Sequence, residues 1–122
     1  MNYSPIHLFD NEPGKYYCTN SINGEYILLD FRNEYYFTKI IISFLGNYKK
    51  SKPKKIMMSL IDSEQKLVLK KSIQLGNIEK HQMEINLNIF FAKIKFDLLE
   101  NYGENYFCVD KIQFFYTTYS LA

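Results

Sequence analysis

Apolar residues recur at every second position through most of this chain, and that rhythm constrains the fold more than any other feature. In 89–99, Phe90, Ala92, Ile94, Phe96 and Leu98 fall on one side of an extended segment, with Lys93, Lys95 and Asp97 on the other. Only a strand separates the two sets so cleanly. The same alternation places Ile27, Leu29 and Phe31 on one face of 25–31, and Ile40, Ile42 and Phe44 on one face of 39–44. Met83, Ile85 and Leu87 share a face in 81–87, as do Ile56, Met58 and Leu60. Leu67 and Leu69, and Ile112 and Phe114, mark two more strands. Asn11-Glu12-Pro13-Gly14, Asn20 to Gly24, Gly46-Asn47, Asp62 to Gln65, Gly76-Asn77 and Asn101-Tyr102-Gly103 supply turn chemistry between the runs. Seven or eight short strands at about ten-residue spacing predict an all-β fold, an antiparallel sandwich or barrel. Composition agrees: 11 Tyr and 10 Phe in 122 residues, with Ile abundant and Ala scarce, favour strands over helices. No linker or internal repeat divides the chain, so residues 1–122 read as one domain.

The side chains that chemistry needs are sparse. The two histidines, His7 and His81, lie far apart, and His81 is in phase with Met83 and Ile85 as a strand-end residue. No Cys or His pair has metal-ligand spacing, and no nucleophile elbow, P-loop or dinucleotide fingerprint occurs. The expectation is a non-catalytic protein with no cofactor and no metal. Met1 to Asp10 has no apolar signal segment. The expectation is a cytoplasmic protein, with nuclear or ciliary association open, in which Cys18 and Cys108 are free thiols. Lys49, Lys50, Lys52, Lys54 and Lys55 form a candidate basic contact patch. A net charge of +2 and the lack of interleaved Arg or aromatic residues disfavour nucleic acid, and favour a solvated loop leading into the Ile56 strand.

Several motifs in order resemble the discoidin-like domains, the galactose-binding-like jelly rolls of the coagulation factor V/VIII C-type family. Leu8-Phe9-Asp10-Asn11 through Tyr16-Tyr17-Cys18-Thr19-Asn20 is similar to the family's opening motif, with Tyr17 at the usual Trp position. Ile27-Leu28-Leu29-Asp30-Phe31 matches a strand ending in an acidic–apolar pair. Lys93-Ile94-Lys95-Phe96-Asp97, Glu100-Asn101-Tyr102-Gly103 and Val109 to Phe114 resemble the last two strands and the link between them. The resemblance implies a jelly-roll β-sandwich of about eight strands, with a short or missing first strand. Its nearest look is the small intracellular orphan-nuclear-receptor-associated group, through His7-Leu8-Phe9-Asp10 and Phe44-Leu45-Gly46-Asn47-Tyr48. A small intraflagellar-transport subunit and the DOC subunit of the anaphase-promoting complex are other relatives. Calcium-binding members use a loop Asp, a loop Thr and a Glu near the last strand. Here Asp10 is kept, but Lys15 and Lys111 stand at the other two positions, which implies a calcium-free domain.

In a jelly roll, loops at one end present the ligand surface. Asp10, Asn11, Tyr16, Tyr17 and Asn20 in one loop, and Asn101, Tyr102 and Asn105 in another, combine aromatic and amide groups and are the expected partner-binding residues. Two functions follow. The first is a protein–protein interaction subunit of a larger intracellular assembly, with Ile41, Met57 and Phe115 as outward apolar contacts. The alternative is a calcium-independent, lectin-like glycan-binding domain. Membrane insertion is not expected, since no apolar run approaches the length of a spanning helix.

Overall fold

No glycine or proline interrupts residues 26–43 or 82–100, so the chain has no local reason to stop extending there. The computed structural model, which describes residues 17–44 and 49–117, accordingly joins what the sequence pattern divides. The runs at 25–31 and 39–44 are halves of one strand, β2 (Tyr26–Ser43), and those at 81–87 and 89–99 are halves of another, β5 (Gln82–Glu100). The remaining strands among the described residues are β1 (Tyr17–Cys18), β3 (Lys55–Ile61), β4 (Leu67–Gln74), β6 (Cys108–Val109) and β7 (Lys111–Thr117). The protein is a β-sandwich of two antiparallel sheets: one runs β4-β3-β5-β2-β7, and the other pairs β1 with β6.

Bulges keep the long strands amphipathic. Between Asp30 and Tyr35, residues 31–34 of β2 lie opposite Ala92 alone on β5. Between Phe37 and Lys39, Thr38 has no counterpart on β7, and its Oγ1 donates to Phe115 O at 3.2 Å. An inserted residue reverses which side chains face inward, because side-chain direction has period two. Ile27 and Phe37 are buried at odd positions before the second bulge, and Ile40, Ile42 and Phe44 at even positions after it. On β5 the switch falls at Phe91 and Ala92, which are both buried. Phe90 therefore does not share the inward face of Ala92. It is half-buried and meets Tyr36 at 4.9 Å between ring centroids.

One core gathers both halves of the bent strands. Phe37 stacks on Phe91 at 3.9 Å, and Phe31 packs edge-on to Phe114 at 5.1 Å. Ile56, Met58, Leu60, Ile94 and Phe96 close the core from the β3–β5 side. Replacing a fully buried phenylalanine such as Phe37 by alanine costs about 3–5 kcal/mol. The expected turn at Asp62 forms: its Oδ1 accepts from the Glu64 and Lys66 N–H groups at 2.9 Å, and Gln65 takes φ +67°. His81 stands exposed just before β5, and its carbonyl accepts from Phe44 N–H at 2.6 Å.

The cysteines correct the free-thiol expectation. Cys18 and Cys108 are register partners in the β1–β6 pair and form a disulfide, with Cα atoms 4.2 Å apart. Separation of 90 residues in sequence says nothing against contact once antiparallel pairing sets the two side by side.

Candidate functional site

The disulfide and its neighbours organise the loops expected to bind a partner. Thr19 N–H donates to Phe107 O, and Phe107 N–H donates back to Thr19 Oγ1, both at 2.9 Å. The segments after β1 and before β6 are therefore joined. Asp10, Asn11 and Tyr16 lie outside the described residues, as does Lys15. Tyr17 is half-buried against the core, and burial lifts its phenol above the ordinary value, with the Glu25 carboxylate adding to the shift. Asn20 and Asn105 are exposed.

Asn101 serves its own loop. Its Nδ2 donates to Glu104 O at 3.0 Å and to Tyr106 O at 2.7 Å, while its Oδ1 accepts from the Gly103 and Glu104 N–H groups. Those four bonds occupy both amide donors and the carbonyl. Tyr102 packs on the core and donates its N–H to Lys50 O, and desolvation raises its phenol. Its buried Oη has no hydrogen-bond partner among the described residues. Asn101 and Tyr102 thus build the loop and are half-buried, and Asn20 and Asn105 are the exposed residues of the expected set among those described.

The lysine run is not one contact surface. A 3-10 turn at Lys49–Ser51 tucks the chain inward, and Lys52 is only 1% exposed. Its ammonium donates to Ile78 O at 2.9 Å and Lys80 O at 2.8 Å, fastening the segment before β3 to the loop before β5. Lys50 and Lys54 remain exposed, and Lys55 stands 3.9 Å from Glu100. The outward apolar trio also divides. Ile41 and Phe115 lie on the β2–β7 part of the sheet, whereas Met57 pairs with Ser72 and Asp97 at its other end.

Geometry outside the expected loops is richer. At the first β2 bulge, Asp30 forms a wall shared by two clefts. One, of about 450 Å³, is lined by Asp30, Arg32, Ser63, Gln65, Ala92 and Lys93. The other, of about 430 Å³, runs beside β7 and is lined by Leu29, Asp30, Phe31, Ile112, Phe114 and Tyr116. The bulge explains both, since residues withdrawn from pairing open space beside the strand. Asp30 Oδ1 accepts from Arg32 N–H at 2.8 Å, which steadies Arg32 at φ +69°. Tyr116 is 47% exposed and rests on Tyr35 with ring centroids 5.1 Å apart. The second cleft thus offers apolar ring surface from Phe31, Phe114 and Tyr116, with the Asp30 residue at its edge. Such an arrangement can hold a molecule with one C–H face and several hydroxyls. In the sequence the only pointers were the acidic end of the Ile27–Phe31 strand and a single arginine.

Among the described residues no group of three or more His, Cys, Asp or Glu side chains could hold a metal ion. No helix among them is long and apolar enough to cross a membrane.

No family model matches the chain, and no curated protein matches it. Solved structures do. A fragment of a putative chitobiase from Bacteroides thetaiotaomicron aligns with TM-score 0.80 at 13% identity, covering 100% of this chain and 80% of that one. A family 32 carbohydrate-binding module from a family 31 glycoside hydrolase of Clostridium perfringens aligns at 0.75 with 16% identity, covering 94% and 86%. Another family 32 module from Clostridium perfringens, in complex with galactose, aligns at 0.74 with 10% identity, covering 91% and 83%. The galactose-binding-like fold inferred from the motifs is therefore that of this chain. The two family 32 neighbours are carbohydrate-binding modules, and the three structures do not include the intracellular relatives to which the motifs pointed.

Proposed function

We propose that this protein is a non-catalytic carbohydrate-binding module. The reading is carried by the likeness in fold to modules named for carbohydrate binding, one of them bound to galactose. It replaces the protein-interaction subunit as the leading function, since the outward residues Ile41, Met57 and Phe115 do not gather into one cluster. The cleft along β7 supplies a suitable surface. A pyranose would lay its C–H face on Tyr116 and Phe114. Disulfides persist in oxidising compartments, so the Cys18–Cys108 bond supports action outside the reducing cytosol, contrary to the expected cytoplasmic location.

A glycan array followed by calorimetry on the full chain tests the proposal. Saturable binding to at least one saccharide is expected, weakened about tenfold or more by Tyr116→Ala with the fold intact. If no saccharide binds, the proposal falls. If binding survives Tyr116→Ala unchanged, the site lies elsewhere on the domain.

A further inference from the structure

The cleft on the other side of Asp30 carries a different chemistry. Its acceptors are already engaged by its own donors. Asp30 Oδ1 takes the Arg32 backbone N–H at 2.8 Å, and Oδ2 faces Lys93 Nζ at 4.0 Å. Gln65 Oε1 takes Lys93 Nζ at 2.7 Å. The Ser63 hydroxyl donates to Glu34 Oε2 at 2.8 Å, and Glu34 itself does not line the cleft. The surplus is on the donor side. Arg32, the only arginine in the chain, has no side-chain hydrogen bond, ion pair or ring contact among the described residues. Among the described residues, its five N–H groups, the Gln65 amide N–H groups and the remaining Lys93 protons find no acceptor. A guanidinium fork that lines the same cleft as an ammonium matches a planar or tetrahedral oxyanion better than a hydroxyl, because two charge-assisted bonds form at once.

We infer that this cleft is a subsite for the anionic group of an acidic saccharide, a carboxylate or sulfate ester, with Arg32 as its principal ligand and Lys93 beside it. The inference rests on the carbohydrate-binding reading above and adds the ligand class. Because Asp30 walls both clefts, an acidic residue on Arg32 sits next to a sugar stacked on Tyr116.

The test uses the full chain and three probes: a galacturonate oligosaccharide, a sulfated galactan oligosaccharide and a neutral galactan oligosaccharide of equal length. At least one acidic probe should bind about tenfold or more tightly than the neutral one at low salt, with the preference shrinking as salt rises. Arg32→Ala should remove the preference while leaving neutral binding in place, and Arg32→Lys should keep part of it. Arg32 is exposed, so both variants should melt with the parent, which separates a binding loss from misfolding. Carboxylate and sulfate are told apart by which acidic probe is preferred. Equal binding of acidic and neutral probes, or a preference that survives Arg32→Ala, overturns the inference and leaves the carbohydrate-binding reading standing. Absence of binding to all three probes, together with a blank glycan array, removes both.

Discussion

Breaking the Cys18–Cys108 bond should cost this domain a large share of its stability. The bond joins residues 90 apart, and the two strands that it connects are only two residues each. Besides the disulfide and their ladder, the pair is held by the Thr19–Phe107 exchange, by Val109 in the core and by the Asp110 N–H bond to Ser43 O. In the chain-entropy account, a cross-link closing a loop of about 90 residues lowers the free energy of folding by about 4.6 kcal/mol at 25 °C. Domains of this size have total stabilities of about 5–15 kcal/mol, so the reduced protein should approach the margin of folding. The perturbation is Cys18→Ser with Cys108→Ser, compared with the oxidised and the reduced parent. Thermal and urea unfolding followed by far-UV circular dichroism should show a midpoint drop of about 15–20 °C, at roughly 4 °C per kcal/mol for a domain of this length. Cys108 is 1% exposed, so part of the drop in the variant reflects a hydroxyl placed in the core, and the reduced parent isolates the cross-link. The reasoning fails if the unreduced protein consumes two equivalents of a thiol reagent when unfolded. It fails equally if the reduced parent melts within about 3 °C of the oxidised form.

Two further outcomes follow from buried polar groups. Lys52→Met should destabilise the fold by about 2–5 kcal/mol in urea titrations, because two loop carbonyls lose their donor, whereas Lys50→Met and Lys54→Met should change it by less than about 0.5 kcal/mol. The alkaline limb of the stability curve should be set partly by Tyr17 and Tyr102, whose phenols are both raised by burial. A raised phenol means that the unfolded chain ionises first, so their contribution is intact below about pH 10 and is lost as pH climbs through the folded value. Tyr17→Phe should flatten that decline in melts taken above about pH 10, and an unchanged slope there would count against the assignment.

Much of the fold was legible in the sequence because strand pairing is written in a period of two. Ile27, Ile40, Ile42, Ile56, Met58, Leu60, Ile94, Phe96 and Leu98 all sit in the core, as their alternation required. The turn at Asp62 was legible for the same local reason, since its side chain bonds its own backbone. Phe90 misled because alternation cannot announce a bulge. Phe91 and Ala92 are neighbours that both point inward, and only the pairing with β2 decides where the phase slips. The lysine run misled in a similar way. Five charges in seven residues look solvated until two carbonyls from a loop more than 25 residues away capture one of them.

The candidate site lies at the far end of that scale. Alternation and turn chemistry by themselves determined antiparallel strands of a sandwich or barrel, much of the core and the lack of any catalytic motif, because those properties depend on residues close together in the chain. Which cysteine meets which, which lysine is internal and where the clefts open were decided by tertiary structure alone. Each depends on register between distant strands. Asp30, Arg32, Gln65 and Lys93 come together only where four residues of β2 bulge out opposite one residue of β5. No spacing in the sequence encodes that meeting, since it exists only after the strands have paired.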